Sequence, residues 1–194
     1  DLAQMDEYAH AGVGRDDGQS AGEHAAIFYR KARFTLLKKG DIWFSPTPDV
    51  PSKGWDALCC KRMASWVQLR DKSSGRSFYV FSVHLDHEGV VARRESAKLL
   101  LRKIHAIAGD SPVVCVGDFN STPDTEQITT MQRGLRDARE HSATPPYGPV
   151  ATFNGFQWDT TPQDRIDYIF TSAQIRVLRY GTLTDSHDRR YPSD

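Results

Sequence analysis

Hydrophobic and polar positions change period several times along the chain, and each change marks an element. In "ASWVQLR" (64–70) they alternate, with Trp66 and Gln68 on one face and Val67 and Leu69 on the other, which predicts a strand. "SFYVFSVHL" (77–85) is nearly all apolar, the pattern of a strand covered on both faces. Over 90–108 the period lengthens. Ala97, Leu100, Leu101, Ile104 and Ala108 form one stripe opposite Arg94, Lys98 and Arg102, which predicts a helix ended by Gly109. A β-branched run then predicts a buried strand over 112–119. Thr122 and Pro123 read as the N-cap and first position of a second helix carrying Ile128, Met131 and Leu135. "AAIFYR" (25–30), "RIDYIFTS" (165–172) and "IRVLRYGTL" (175–183) read as further strands. "FTLLKKGDIWFS" (34–45) reads as two short strands around a turn at Lys39-Gly40.

Two stretches break this rhythm: 45–60 and 142–164 are rich in Pro, Gly, Ser and Thr, as long functional loops often are. They carry the aromatics Trp55, Phe153, Phe156 and Trp158, suited either to stacking on a ligand or to packing the loops themselves. The 194 residues are enough for one sizeable core, and a single domain over 1–194 is expected. Lys plus Arg equals Asp plus Glu, 25 of each, so no global field draws the chain to nucleic acid. No run approaches the roughly 18 apolar residues of a membrane span, and compartment is left open. The three cysteines, Cys59, Cys60 and Cys115, have neither a disulfide-framework nor a zinc spacing and read as buried or idle thiols. "DDGQSAGE" lacks calcium-loop spacing, and "GVGRDDG" has only a partial phosphate-loop pattern.

The candidate chemistry sits where strands end. His84 closes one strand, Asp118 and Asn120 close another, Asp167 opens a third, Glu23 precedes "AAIFYR", and Asp194 ends the chain in "YPSD". Singly, each has a structural explanation: Asp118 as a turn former, Asp167 as a cap or as a partner of Arg165, His84 as a satisfied strand-end imidazole. Together they are acids, an amide and an imidazole delivered to the sheet end where α/β proteins collect ligand sites.

"VHLDH", "GDFN", "RIDYIF" and "YPSD" resemble the endonuclease/exonuclease/phosphatase superfamily. It includes pancreatic-type deoxyribonucleases, abasic-site endonucleases, mRNA deadenylases, inositol-polyphosphate 5-phosphatases and bacterial sphingomyelinases. "GVGRDDG…GE", "TPDVPSKGWDA" and "VHLDHEGVVARRESA" look closest to a bacterial branch of poorly defined substrate. The resemblance implies a four-layer α/β sandwich, two mixed β-sheets face to face with helices outside. It also implies roles. Asp118 is similar to the family's general base or water-positioning acid, Asn120 and His84 to its phosphate-holding groups, and Glu23 to the carboxylate that orients His84. Asp167 is similar to the acid that orients a second histidine, Asp194 to an acid beside the metal, and Arg62 to a phosphate-contacting arginine.

Those residue types suit the chemistry. A phosphoester repels nucleophiles until its charge is neutralised, which a divalent cation and His or Arg donors achieve. Asn120 donates hydrogen bonds without adding negative charge, and Mg²⁺ (or Mn²⁺) favours oxygen ligands and few of them. The resemblance thus implies a metal-dependent phosphoester hydrolase, monomeric, acting on a nucleic acid, inositol phosphate, phospholipid or sugar phosphate. The alternative is a catalytically impaired phosphate- or nucleic-acid-binding module of the same fold. The family's first-strand Asn and metal-binding Glu map before Asp1, and its terminal His after Asp194. The resemblance therefore implies a domain incomplete at both ends, expected as it stands to bind metal weakly and to hydrolyse poorly.

Overall fold

The computed structural model describes residues 5–157 and 159–185. In chain order the strands are β1 (Tyr8–Ala11), β2 (Ile27–Arg30), β3 (Phe34–Trp43), β4 (Met63–Asp71) and β5 (Ser77–His84). Helix α1 (Val90–Ala108), β6 (Val113–Asp118), α2 (Glu126–Gly134), β7 (Arg136–Asp137) and β8 (Asp167–Thr171) follow. Among the described residues six strands form a mixed sheet in the order β3-β4-β5-β6-β8-β7, parallel only at β5-β6, where α1 makes the crossover. β1 and β2 pair as a separate two-stranded sheet.

The β4 alternation separates two cores. Ala64 and Trp66 face a large cluster in which Phe81, Val83 and Cys115 meet Leu100 and Ile104 of α1 and Ile128 and Met131 of α2. Val67 and Leu69 point the other way, onto Ala11 and Ile27 of the small sheet. The arrangement is an α/β sandwich, two sheets face to face with helices outside, and both described helices lie on the outer face of the large sheet. Among the described residues no helix is long and apolar enough to cross a membrane.

Helix α1 matches its predicted span, and the Gly109 N–H closes it on the His105 carbonyl. Its N-terminus is satisfied from a distance. Gly89 has no side chain to cap it, so the Asp56 carboxylate accepts from the N–H groups of Val91 and Ala92 at 3.0 and 2.6 Å. Burial pushes the Asp56 carboxyl up, but those backbone donors outweigh it and hold it below its ordinary value.

Four expectations are corrected. Residues 34–43 form one continuous strand with a bulge between Leu36 and Lys38, not a hairpin: Lys39 and Gly40 pair with Val67 and Trp66. Gly40 is there because the Trp66 indole lies over it, where a Cβ would come within 2.8 Å of the ring. The second helix starts at Glu126, capped at Thr125; Thr122 and Pro123 belong to the preceding turn, where the Thr125 N–H reaches the Thr122 carbonyl. Residues 175–183 form no strand; they run beside 143–147 through single backbone bonds such as Tyr147 to Tyr180. Cys59 and Cys60, read as thiols, are joined as a disulfide between adjacent residues. Cys115 is a free buried thiol, its pKa pushed up by burial.

Candidate active site

Strand register brings three of the predicted residues into one row. His84 pairs with Asp118 across β5-β6, and Asp118 pairs with Asp167 across β6-β8. Tyr79, Phe81 and Val83 of β5 and Tyr168 and Phe170 of β8 face the helices. By alternation, His84 and Asp167 turn to the opposite face, towards the small sheet. The His84 Nε2 lies 3.5 Å from an Asp118 carboxylate oxygen.

"GDFN" (117–120) carries the chain out of the end of β6. Gly117 has φ +142°, and a Cβ there would strike the Val83 carbonyl oxygen, so only glycine lets β6 lie this close to the strand carrying His84. Asp118 accepts the backbone N–H of Asn120 at 2.7 Å. Phe119 is buried edge-on against Tyr168 and Phe170, anchoring the turn. Asn120 takes φ +45°, a left-handed conformation that Asn tolerates better than most residues. Its side-chain amide donates to the Leu85 carbonyl at 3.0 Å, leaving a second N–H.

Glu23, ahead of β2, reaches the other nitrogen of His84: Nδ1 lies 2.5 Å from its carboxylate. Burial pushes the Glu23 carboxyl up, but His84, Arg15 and Arg62 outweigh burial and hold it below the usual glutamate range. Arg15 donates to the second Glu23 oxygen at 2.7 Å. Arg62 is only 6 % exposed. Its guanidinium reaches His84 Nε2 at 2.8 Å and His87 Nδ1 at 2.6 Å, and its Nε lies 3.4 Å from the Asp86 carboxylate. Asp86 is in turn held by the backbone N–H groups of Glu88 and Gly89.

Glu23, Arg62, His84, Asp118, Asn120 and Asp167 therefore come together at one end of the large sheet. Asp194 and Trp158 lie outside the described residues. Arg165 does not pair with Asp167; it forms a buried bidentate pair with Asp137. Sequence reasoning missed Arg15, Asp86 and His87. Their signal lay in "GVGRDDG" and "VHLDH", but nothing local says which distant group an arginine or imidazole will meet. Asp118, Asn120 and Asp167 offer the oxygen donors Mg²⁺ prefers. Among the described residues, however, no group of three or more His, Cys, Asp or Glu is placed to hold a metal ion.

The family model described as the Endonuclease/Exonuclease/phosphatase family matches residues 16–194. The solved structure of a mannosyl-6-phosphatase from Bacteroides thetaiotaomicron is 40 % identical, with a TM-score of 0.90, over 100 % of this chain and 78 % of that one. An endonuclease/exonuclease/phosphatase family protein from the same bacterium is 42 % identical over 95 % of this chain and 68 % of its own, also with a TM-score of 0.90. An uncharacterised protein of Acanthamoeba polyphaga mimivirus is 37 % identical over 107 residues, 53 % of this chain and 39 % of its own. The chain spans less than half the length of the curated relatives it matches.

Proposed function

Because the chain belongs to the endonuclease/exonuclease/phosphatase family, we propose that the strand-end cluster hydrolyses a phosphoester with the help of a divalent cation, Mg²⁺ or Mn²⁺. The observation that carries this reading is the single row of His84, Asp118 and Asp167 on three adjacent strands, with Glu23 on His84 and Asn120 held on Asp118. The cation, when bound, neutralises phosphate charge.

The chain's own residues do the rest. Asp118 accepts a proton from, or aligns, the attacking water. The second N–H of Asn120 donates to a phosphate oxygen. With one His84 nitrogen engaged by Glu23, the other faces Asp118 and Arg62. A phosphate entering there takes the Arg62 donor, and His84, oriented by Glu23, faces the charge developing on phosphorus. Arg62 is pre-aimed, because Asp86 and His87 hold its other nitrogens.

A sugar phosphate is the substrate class best supported. One relative that matches over the whole chain is a mannosyl-6-phosphatase, and the zero net charge gives no attraction to a long polyanion. The test is hydrolysis of p-nitrophenyl phosphate and mannose 6-phosphate by the purified protein extended beyond residues 1–194 at both ends. Mg²⁺-dependent turnover abolished by chelator is expected, with Asp118→Asn slower by about 10²–10⁴-fold at unchanged circular dichroism. Full rate in excess chelator, or in that variant, would contradict the proposal.

A further inference from the structure

Beside the phosphate end of the cluster lies a second concavity of about 280 Å³, just below the roughly 300–1,000 Å³ common for ligand pockets. Asn120 forms the wall it shares with the cluster. Arg93 of α1, Thr122 and Thr125 ahead of α2, and Phe153 and Asp164 of the long loop line much of the remainder, and Gln127 of α2 also lines it.

The hydrogen bonds already made there decide what this pocket offers. The Thr122 hydroxyl donates to Asp124 at 2.6 Å, and the Thr125 hydroxyl to the Thr122 carbonyl at 2.7 Å. Ser121, also in the lining, donates to the Phe119 carbonyl at 2.7 Å. A hydroxyl has one proton and two lone pairs, so these groups keep only acceptor capacity for a ligand. Asp164 is an acceptor as well, and among the described residues its carboxylate makes no hydrogen bond or ion pair. The donor is Arg93. One arm reaches the Asp86 carbonyl at 3.2 Å, and its buried Nε has no hydrogen-bond partner. Phe153 adds an apolar wall, braced edge-on by Phe156 at 5.4 Å between ring centroids.

A phosphate group only accepts. A nucleic acid threaded past Asn120 would set its neighbouring phosphates against the threonine oxygens and Asp164. A sugar hydroxyl both donates and accepts, so it matches the acceptors and Arg93 together, and the C–H face of a ring fits Phe153. We propose that this pocket is the subsite for the alcohol part of the ester and takes one neutral, hydroxyl-rich ring. Thr122, Thr125 and Asp164 accept from its hydroxyls, and Arg93 donates to them. The proposal rests on the phosphoester-hydrolase reading of the adjoining cluster.

The test uses the same extended protein, its Asp164→Asn and Arg93→Gln variants, and two readouts. In turnover, the ratio of kcat/KM for mannose 6-phosphate to that for p-nitrophenyl phosphate, which has no ring hydroxyls, is expected to fall at least about tenfold in each variant. In calorimetry, the parent is expected to bind mannose 6-phosphate at least about tenfold more tightly than inorganic phosphate, and Arg93→Gln to lose that preference. Asp164 is exposed on the rim, so its variant keeps the fold. Unchanged ratios, parental binding that does not distinguish the two ligands, or faster cleavage of a thymidine dinucleotide than of mannose 6-phosphate would each overturn the subsite. If the parent turns over neither ester, the hydrolase reading fails, and the calorimetric preference still decides the subsite.

Discussion

Replacing Asp137 with alanine strands a buried cation. The Asp137 and Arg165 side chains are 1 % and 4 % exposed, and they meet through two hydrogen bonds of 2.7 and 2.8 Å. Arg165 also lies over the Tyr168 ring, 4.3 Å from its centroid. Burial works against the Arg165 charge, but the bonds and charge of Asp137 outweigh it and raise the guanidinium pKa. In Asp137→Ala the guanidinium remains buried with no counter-charge, and breaking such a pair costs about 3–5 kcal/mol. At about 2–4 °C per kcal/mol for a chain of this size, Tm drops by roughly 6–20 °C. The double variant Asp137→Leu with Arg165→Met removes both charges and is expected to recover most of that loss. Thermal and urea melts followed by circular dichroism supply the numbers. The loss should reach the site, because the Tyr168 hydroxyl donates to the Ser121 and Arg165 carbonyls, next to Asn120 and two residues from Asp167. A drop below about 2 °C in the single variant, or a double variant no more stable than the single, would refute the reasoning.

Gly117→Ala is expected to be destabilised by about 3 kcal/mol or more, or to misfold, since its Cβ meets the Val83 carbonyl and its φ is +142°; melts of the soluble fraction check this. Glu23→Gln is expected to slow turnover by at least about 10²-fold, measured as kcat on p-nitrophenyl phosphate, with a small loss of Tm at neutral pH. The folded pKa of Glu23 is depressed. Its contribution is thus present above the ordinary glutamate value of about 4.3 and lost as pH falls through the folded value. The acid limb of the stability curve should flatten in Glu23→Gln, and an unchanged limb would count against the His84 contact.

Local periodicity alone determined much of this protein. Helix α1 was legible to the residue because its stripe repeats every three to four positions and Gly109 closes it. β4, β5 and β6 were legible because alternation or continuous apolarity identifies a strand without knowledge of its partners. The chemical residue types at the strand ends were legible too, as an ordered set of acids, amide and imidazole. Tertiary structure alone decided what depends on distant neighbours. Gly40 reads as a turn in the sequence and becomes mid-strand because the Trp66 ring covers it, 26 positions later. The cap of α1 comes from Asp56, 35 residues before the first N–H it satisfies. Arg62 finds His87 and Asp86, and Arg165 finds Asp137 rather than the nearby Asp167. Periodicity is a property of one segment's own faces. The partner of a buried charge is set by which strands lie side by side, and sequence spacing carries no record of that.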